Sequence, residues 1–190
     1  MRLARVAAGV LVGAVVLGDC SSKEPANDTL PSASASPTAV SDAPPPLGPP
    51  DLPMPVEARE QTPAGADAFL RYYMDVYNAA ETSLDPTYMD QLSQDCETCD
   101  RLIQNIRQDA GSGYSYEGGT ATVTSVSTPL VRELTAETAF SMDQTPLTVR
   151  NEQGVDVPEL SAPAASLDCG AILYWSRSDS TWIFSQWDVN

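Results

Sequence analysis

The spacing of apolar residues changes once along this chain, at Gly111, and that change constrains the fold more than any other feature. Before it, Ala66, Phe69, Leu70, Tyr73, Val76, Tyr77 and Ala80 recur at the spacing of one buried helical face. After it, Leu134, Ala136, Thr138, Phe140 and Met142 alternate with polar neighbours, the mark of a strand with one covered face. Helices followed by a run of strands define an α+β chain, with N-terminal helices packed on a curved antiparallel sheet.

The punctuation agrees with the periods. Thr62 can cap the first helix with Pro63 at its first helical position, where a missing N–H costs nothing. A short helix is expected over Pro86–Leu92. A third is expected over Cys96–Ala110, with Cys99, Leu102, Ile103, Ile106 and Ala110 on one side and Gly111 as its stop. Strands follow at Thr120–Val126 and around Leu134–Met142. A short one at Leu147–Arg150 leads into a Pro-, Gly- and Ala-rich loop over 151–165. Two last strands, Leu167–Arg177 and Thr181–Val189, flank a hairpin at Ser178-Asp179-Ser180. A long first helix under a twisted sheet resembles the cone-shaped NTF2-like, or cystatin-like, architecture.

All 3 tryptophans, 7 tyrosines and 3 phenylalanines fall after Thr62, so residues 62–190 hold one core and one domain. Residues 21–61 are rich in Pro, Ala, Ser and Thr and contain no aromatic side chain, which predicts a disordered stalk. A 41-residue segment of this kind spans about 35 Å as a coil and about 125 Å fully extended. Residues 1–20 have a basic start, an apolar run from Val6 to Leu17, and then Gly18-Asp19-Cys20. The run is short for a span, which needs about 20 apolar residues, and reads as a secretory signal. Leu17, Gly18 and Cys20 resemble a bacterial lipobox, which makes Cys20 the expected lipidation site; Asp19 departs from the Gly or Ala usual there.

The formal charge is −16, and removing residues 1–19 takes away Arg2, Arg5 and Asp19, which moves it to −17. So acidic a surface repels phosphate backbones and anionic headgroups, and argues against a nucleic-acid partner. A membrane contact through a lipid on Cys20 does not depend on that charge. No Asp-x-Asp-x-Asp-Gly loop is present, so the acidity serves solvation rather than calcium.

The chain has no histidine, which removes Ser-His-Asp and Cys-His chemistry and the usual near-neutral base. Asp67, Asp75 and Glu133 are candidate carboxylate bases for a pocket, and each reads more simply as a solvated acid. Cys96 and Cys99 form a Cys-x-x-Cys pair between helices, without the preceding strand or aromatic of a thioredoxin-type site. A structural disulfide is expected and a redox pair is the alternative. Cys169 is left over, either as a buried thiol or as a partner of one of the pair. Three thiols without histidine do not suit zinc, and no cofactor is expected. Tyr73, Tyr77, Phe140, Trp175, Trp182 and Trp187 are candidates to line a cavity for a small apolar ligand, or to fill the core. An exposed tryptophan patch would instead suit an envelope protein or a glycan.

Met54-Pro55, Thr62-Pro63-x-Gly65-Ala66, Ala68-Phe69-x-Arg71-Tyr72-Tyr73, Asn78 and Cys96-x-x-Cys99 stand behind the lipobox and stalk. Together they are similar to an uncharacterised family of actinobacterial lipoproteins, domain of unknown function 6318. The resemblance implies the anchor, the fold and the paired cysteines, and it implies no activity. The expected protein is a membrane-anchored, extracytoplasmic, non-catalytic binding or interaction module. The alternative is an enzyme, either a thiol oxidoreductase or a carboxylate-dependent isomerase or hydrolase.

Overall fold

The computed structural model describes residues 46–190; the leader, Cys20 and the stalk as far as Pro45 lie outside the described residues. Within them three helices precede seven strands. The helices are α1 (Pro63–Ser83), α2 (Thr87–Gln91) and α3 (Glu97–Gly111). The strands are β1 (Ser115–Gly118), β2 (Ala121–Val126), β3 (Leu130–Arg132), β4 (Thr135–Gln144), β5 (Leu147–Arg150), β6 (Ala165–Ser176) and β7 (Thr181–Val189). The α+β class expected from the change in period is the one observed. Thr62 caps α1 by accepting a hydrogen bond from the Gly65 N–H at 3.0 Å, and Pro63 opens the first turn.

The main sheet is antiparallel in the order β2-β4-β6-β7, with β3 on the same edge of β4 as β2. β1 and β5 pair separately, yet their register runs on into β2 and β4 unshifted, from Gly118↔Leu147 to Ala121↔Gln144. They form one ribbon folded at its middle. Gly118 and Gly119 both take positive φ at the fold, and a Cβ on Gly118 would lie 2.1 Å from the Pro146 carbonyl on the facing strand. The fold turns β1 toward α1. Neither β1 nor β3 is visible as a period in the sequence, because segments of four and three residues are too short to show one.

The loop after β5 is expected as irregular and is partly ordered against that strand. The Val157 N–H donates to the Val149 carbonyl at 2.8 Å, and the Ser161 hydroxyl accepts from the Val149 N–H. At the other end of the sheet the segment between α2 and α3 meets the edge of β7 at Phe184. There the Gln94 N–H donates to Phe184 O, and the Phe184 N–H to Leu92 O, both at 2.9 Å.

The stalk expected over residues 21–61 does not extend to Thr62. Residues 46–61 form a strap against the domain, with Leu47 and Ala58 buried and a 3-10 turn at Val56–Arg59. The Tyr72 hydroxyl donates to Leu52 O at 3.0 Å, and the Trp182 indole N–H donates to Glu60 O at 3.0 Å. Arg59 reaches the Asp179 carbonyl at 3.1 Å, across the β6–β7 hairpin. The strap supplies backbone acceptors to side chains buried elsewhere and few apolar side chains of its own. Composition alone therefore reads it as stalk.

Gly48 sits where the strap crosses Tyr72, at φ +85, and a Cβ there would fall 1.6 Å from the phenol oxygen. Gly48→Ala is expected to lower stability by about 3 kcal/mol in urea unfolding, through backbone strain plus a clash that must displace Tyr72. Gly154, at φ +74 with open space around it, is the control, and Gly154→Ala should cost only about 1 kcal/mol.

Candidate functional site

Of the two roles open to the six aromatic candidates, lining a cavity or filling the core, the structure places them in the core. Tyr73, Tyr77, Phe140, Trp175, Trp182 and Trp187 are all buried. Tyr73 packs on Phe184 with ring centroids 4.5 Å apart, and Tyr77 meets Trp187 edge-on at 5.9 Å. Trp175 and Trp182 stack edge-to-face at 5.2 Å at the other end of the sheet. The rings occupy one another's space. None of the six lines any of the grooves described below.

Cys96 and Cys99 are joined as a disulfide, and both are fully enclosed. Cys96 caps α3, its sulfur accepting from the Cys99 N–H at 3.3 Å. An enclosed bridge gives a substrate thiol nothing to attack, so the pair fixes the turn into α3. Cys169 on β6 is a free, buried thiol that pairs with neither, and burial pushes its pKa up. Among the described residues no group of three or more Cys, Asp or Glu comes together that could hold a metal ion.

The carboxylates proposed as bases are scattered over the surface. Asp67 pairs with Arg71 at 2.9 Å. Glu133 occupies the β3–β4 turn at φ 50, and its carbonyl accepts from the Gln61 side chain. Asp75 is exposed on α1, and partial burial raises its pKa. The buried acid is one the sequence reading passes over, Glu81, on the last turns of α1 and 9% exposed. The helical pattern hints at it, since Glu81 extends the Tyr73, Tyr77 series by four residues. Its Oε1 accepts from the Tyr77 hydroxyl at 2.8 Å, while Oε2 has no partner and lies 3.1 Å from the place a Gly119 Cβ would take. Nearby, the Tyr116 hydroxyl on β1 bonds the Asp109 carboxylate on α3. Burial raises the pKa of Tyr77, reinforced by the charge of Glu81.

Three of the accessible concavities run along the outside of α1, while two others lie apart, one at Tyr174 and Ile183 and one over the first turns of α3. One groove of about 500 Å³ lies between the strap (Pro46, Leu47, Pro53, Met54) and Tyr88 with Gln91. The next, about 570 Å³, shares Pro49, Pro50 and Tyr88 with it and extends past Ala79 and Thr82 to Thr120. A third, about 310 Å³, shares Asn78 and Thr120 with the second and lies between Arg71, Met74 and Asp75 of α1 and residues 120–123 of β2. The three join in one trough that follows the strap and then the edge of β2. Asn78 is its hinge point, holding α1 to β2 through two 2.8 Å bonds to the backbone of Ala121.

Residues 43–188 match the model of a family described as a family of unknown function, DUF6318, and the chain belongs to that family. The match begins close to where the strap does. A comparison with curated proteins found no match. Among solved structures, the chain is similar to the intermembrane space region of the chloroplast protein ARC6, at TM-score 0.43 and 15% identity over 64% of this chain and 93% of that one. An NTF2-like superfamily protein from Salmonella enterica serovar Typhimurium gives TM-score 0.43 and 12% identity over 67% and 91% of the two chains. A putative Ca/calmodulin-dependent kinase II association domain from Exiguobacterium sibiricum gives 0.41 and 10% over 64% and 88%. These likenesses concern the fold alone: helices followed by an antiparallel sheet, with NTF2-like proteins among the structural neighbours.

Burial holds the Glu81 carboxyl above its ordinary 4.5, with the Tyr77 hydrogen bond opposing the shift. The native state therefore binds a proton more tightly than the unfolded chain. That stabilisation is complete below pH 4.5 and is lost as pH rises through the folded-state value. Glu81→Gln keeps an acceptor for Tyr77 without the buried charge. It is expected to be more stable than the wild type by ~1 kcal/mol at pH 8 and equal to it at pH 4, read from urea unfolding at both values. A gap of the same size at both pH values would show that Glu81 stays ionised throughout.

Proposed function

We propose that this chain is a lipid-anchored, extracytoplasmic protein acting as a non-catalytic binding module, and that it binds along the external trough rather than inside the sheet. The observation that carries the reading is the contrast between an interior closed by stacked aromatic rings and a continuous trough already open beside α1. The leader pattern ending at Cys20 and the Pro-rich segment behind it support the anchor. Among the described residues no helix is long and apolar enough to cross a membrane, so attachment through Cys20 is the route this reading requires.

Two measurements test it. Mass spectrometry of the mature N-terminus from bacterial envelopes should find a diacylglyceryl-modified Cys20, and Cys20→Ser should release the protein from the membrane fraction; an unmodified terminus at another residue overturns the anchor. Hydroxyl-radical footprinting should show Tyr88 and the adjoining prolines several-fold less reactive in intact envelopes than in the purified protein. Equal reactivity in the two states overturns the trough as the binding surface.

A further inference from the structure

Each edge of the main sheet is met by the rest of the domain at one rung. The Leu92–Gln94 segment bonds Phe184 on β7, and on the other side β2 ends the strand order with its own outward-facing backbone groups. The register says which ones. The Thr145 N–H donates to Thr120 O, so residues 120 and 122 face β4, and Ala121 and Val123 present their N–H and C=O to the open side. Ala121 is already satisfied, because the Asn78 carboxamide donates to its carbonyl and accepts from its N–H. A carboxamide is chemically a peptide unit, so α1 fills the position that an added strand would occupy at that rung.

Val123, the next rung, is unfilled. It lies on the floor of the third groove, before the bulge that separates it from Ser125. The strand carries none of the usual defences of a bare edge apart from that bulge: Ala-Thr-Val-Thr-Ser-Val has no proline and no charge. On the wall above stands Asp75, whose carboxylate makes no ion pair or hydrogen bond among the described residues, whereas the neighbouring Arg71 is held by Asp67. Unsatisfied backbone below and an unpaired anion above specify complementary features in one ligand.

We propose that the β2 edge receives an extended segment of a partner protein, which adds as a short outer strand with a peptide unit bonded to Val123 and a lysine or arginine side chain against Asp75. The proposal rests on the reading of the trough as the binding surface and names the class of partner. One free rung and one exposed ion pair make a weak contact, of the kind that tethering near a surface strengthens through effective concentration.

The probe is a capped pentapeptide, acetyl-Thr-Val-Lys-Val-Thr-amide, with Glu in place of Lys as the control, titrated into the ¹⁵N-labelled domain. Binding of the Lys peptide should shift the Val123 amide and slow its hydrogen exchange. Asp75→Asn should weaken the Lys peptide about five-fold and should not weaken the Glu peptide, whose repulsion by Asp75 it relieves. Val123→Pro removes the outward-facing N–H, and Val123→Ala, which trims the same half-buried side chain but keeps the N–H and should still bind, is its control. Val123→Pro should abolish binding with the circular dichroism spectrum intact, and Thr122→Ala, on the rung facing β4, should bind normally. Equal binding of the two peptides, or no shift at Val123 at millimolar peptide, overturns the proposal. A dimer of the free domain that Val123→Pro dissolves also overturns it and gives the edge to a second copy. Shifts confined to Asp51, Thr82 and Tyr88 would overturn the β2 assignment while leaving the trough as the binding surface.

Discussion

α1 is gripped from two sides, and the rest of the domain is arranged around that grip. Phe69, Tyr73 and Tyr77 repeat every four residues toward the sheet, where Phe184 and Trp187 of β7 receive them. Tyr72 and Val76 face the other way, toward the strap. Burying each ring contributes about 2–3 kcal/mol, but a buried phenol must also find an acceptor. Tyr72 finds it in the Leu52 carbonyl. The helix therefore needs the strap as much as the strap needs the helix, and a domain cut at Thr62 would leave both the Tyr72 hydroxyl and the Trp182 indole without their partners.

The same helix pays for the closure of the ribbon. Bending at Gly118 and Gly119 brings the ribbon onto the last turns of α1, and the position that meets the bend is Glu81. A Cβ at 119 would lie 3.1 Å from Oε2 and 3.0 Å from Leu147 Cδ1, so both side chains would have to give. The carboxyl is served by one hydroxyl, and the Arg150 charge on β5 is engaged with Glu117 and Asp156 rather than with it. A fold optimised only for stability would place an apolar side chain here, since an under-bonded buried carboxyl costs more than it returns.

Much of the architecture was legible in the sequence because it is carried by period. α1, α3, β4, β6 and β7 are long enough to declare their spacing, and the Thr62-Pro63 cap names the first residue of α1. What stayed hidden is carried by backbone. The strap contributes carbonyls, Asn78 mimics a peptide unit, and the ribbon fold is set by two glycines in sequence. None of these leaves a compositional trace. The aromatics left two roles open for a related reason: a ring that lines a cavity and one that fills a core follow the same helical and strand spacing, and only the neighbouring rings decide between them. Glu81 was readable by its place in the Tyr73, Tyr77 series, but the expectation that acids are solvated on so acidic a chain concealed it.

Magnitudes place recognition on the outside. Admitting a small ligand of roughly 300 Å³ among the rings would require opening that much space, and core cavities cost about 24 cal/mol per Å³. The penalty is of the order of 7 kcal/mol, comparable with the whole stability of a domain of this size. The trough exists already and imposes no such penalty. It also runs beside the β2 edge, where Val123 presents its N–H and C=O outward next to the rung that Asn78 fills. With Asn78 filling only the Ala121 rung of β2, hydrogen-bonding capacity remains at Val123, at the side of α1 rather than beneath it.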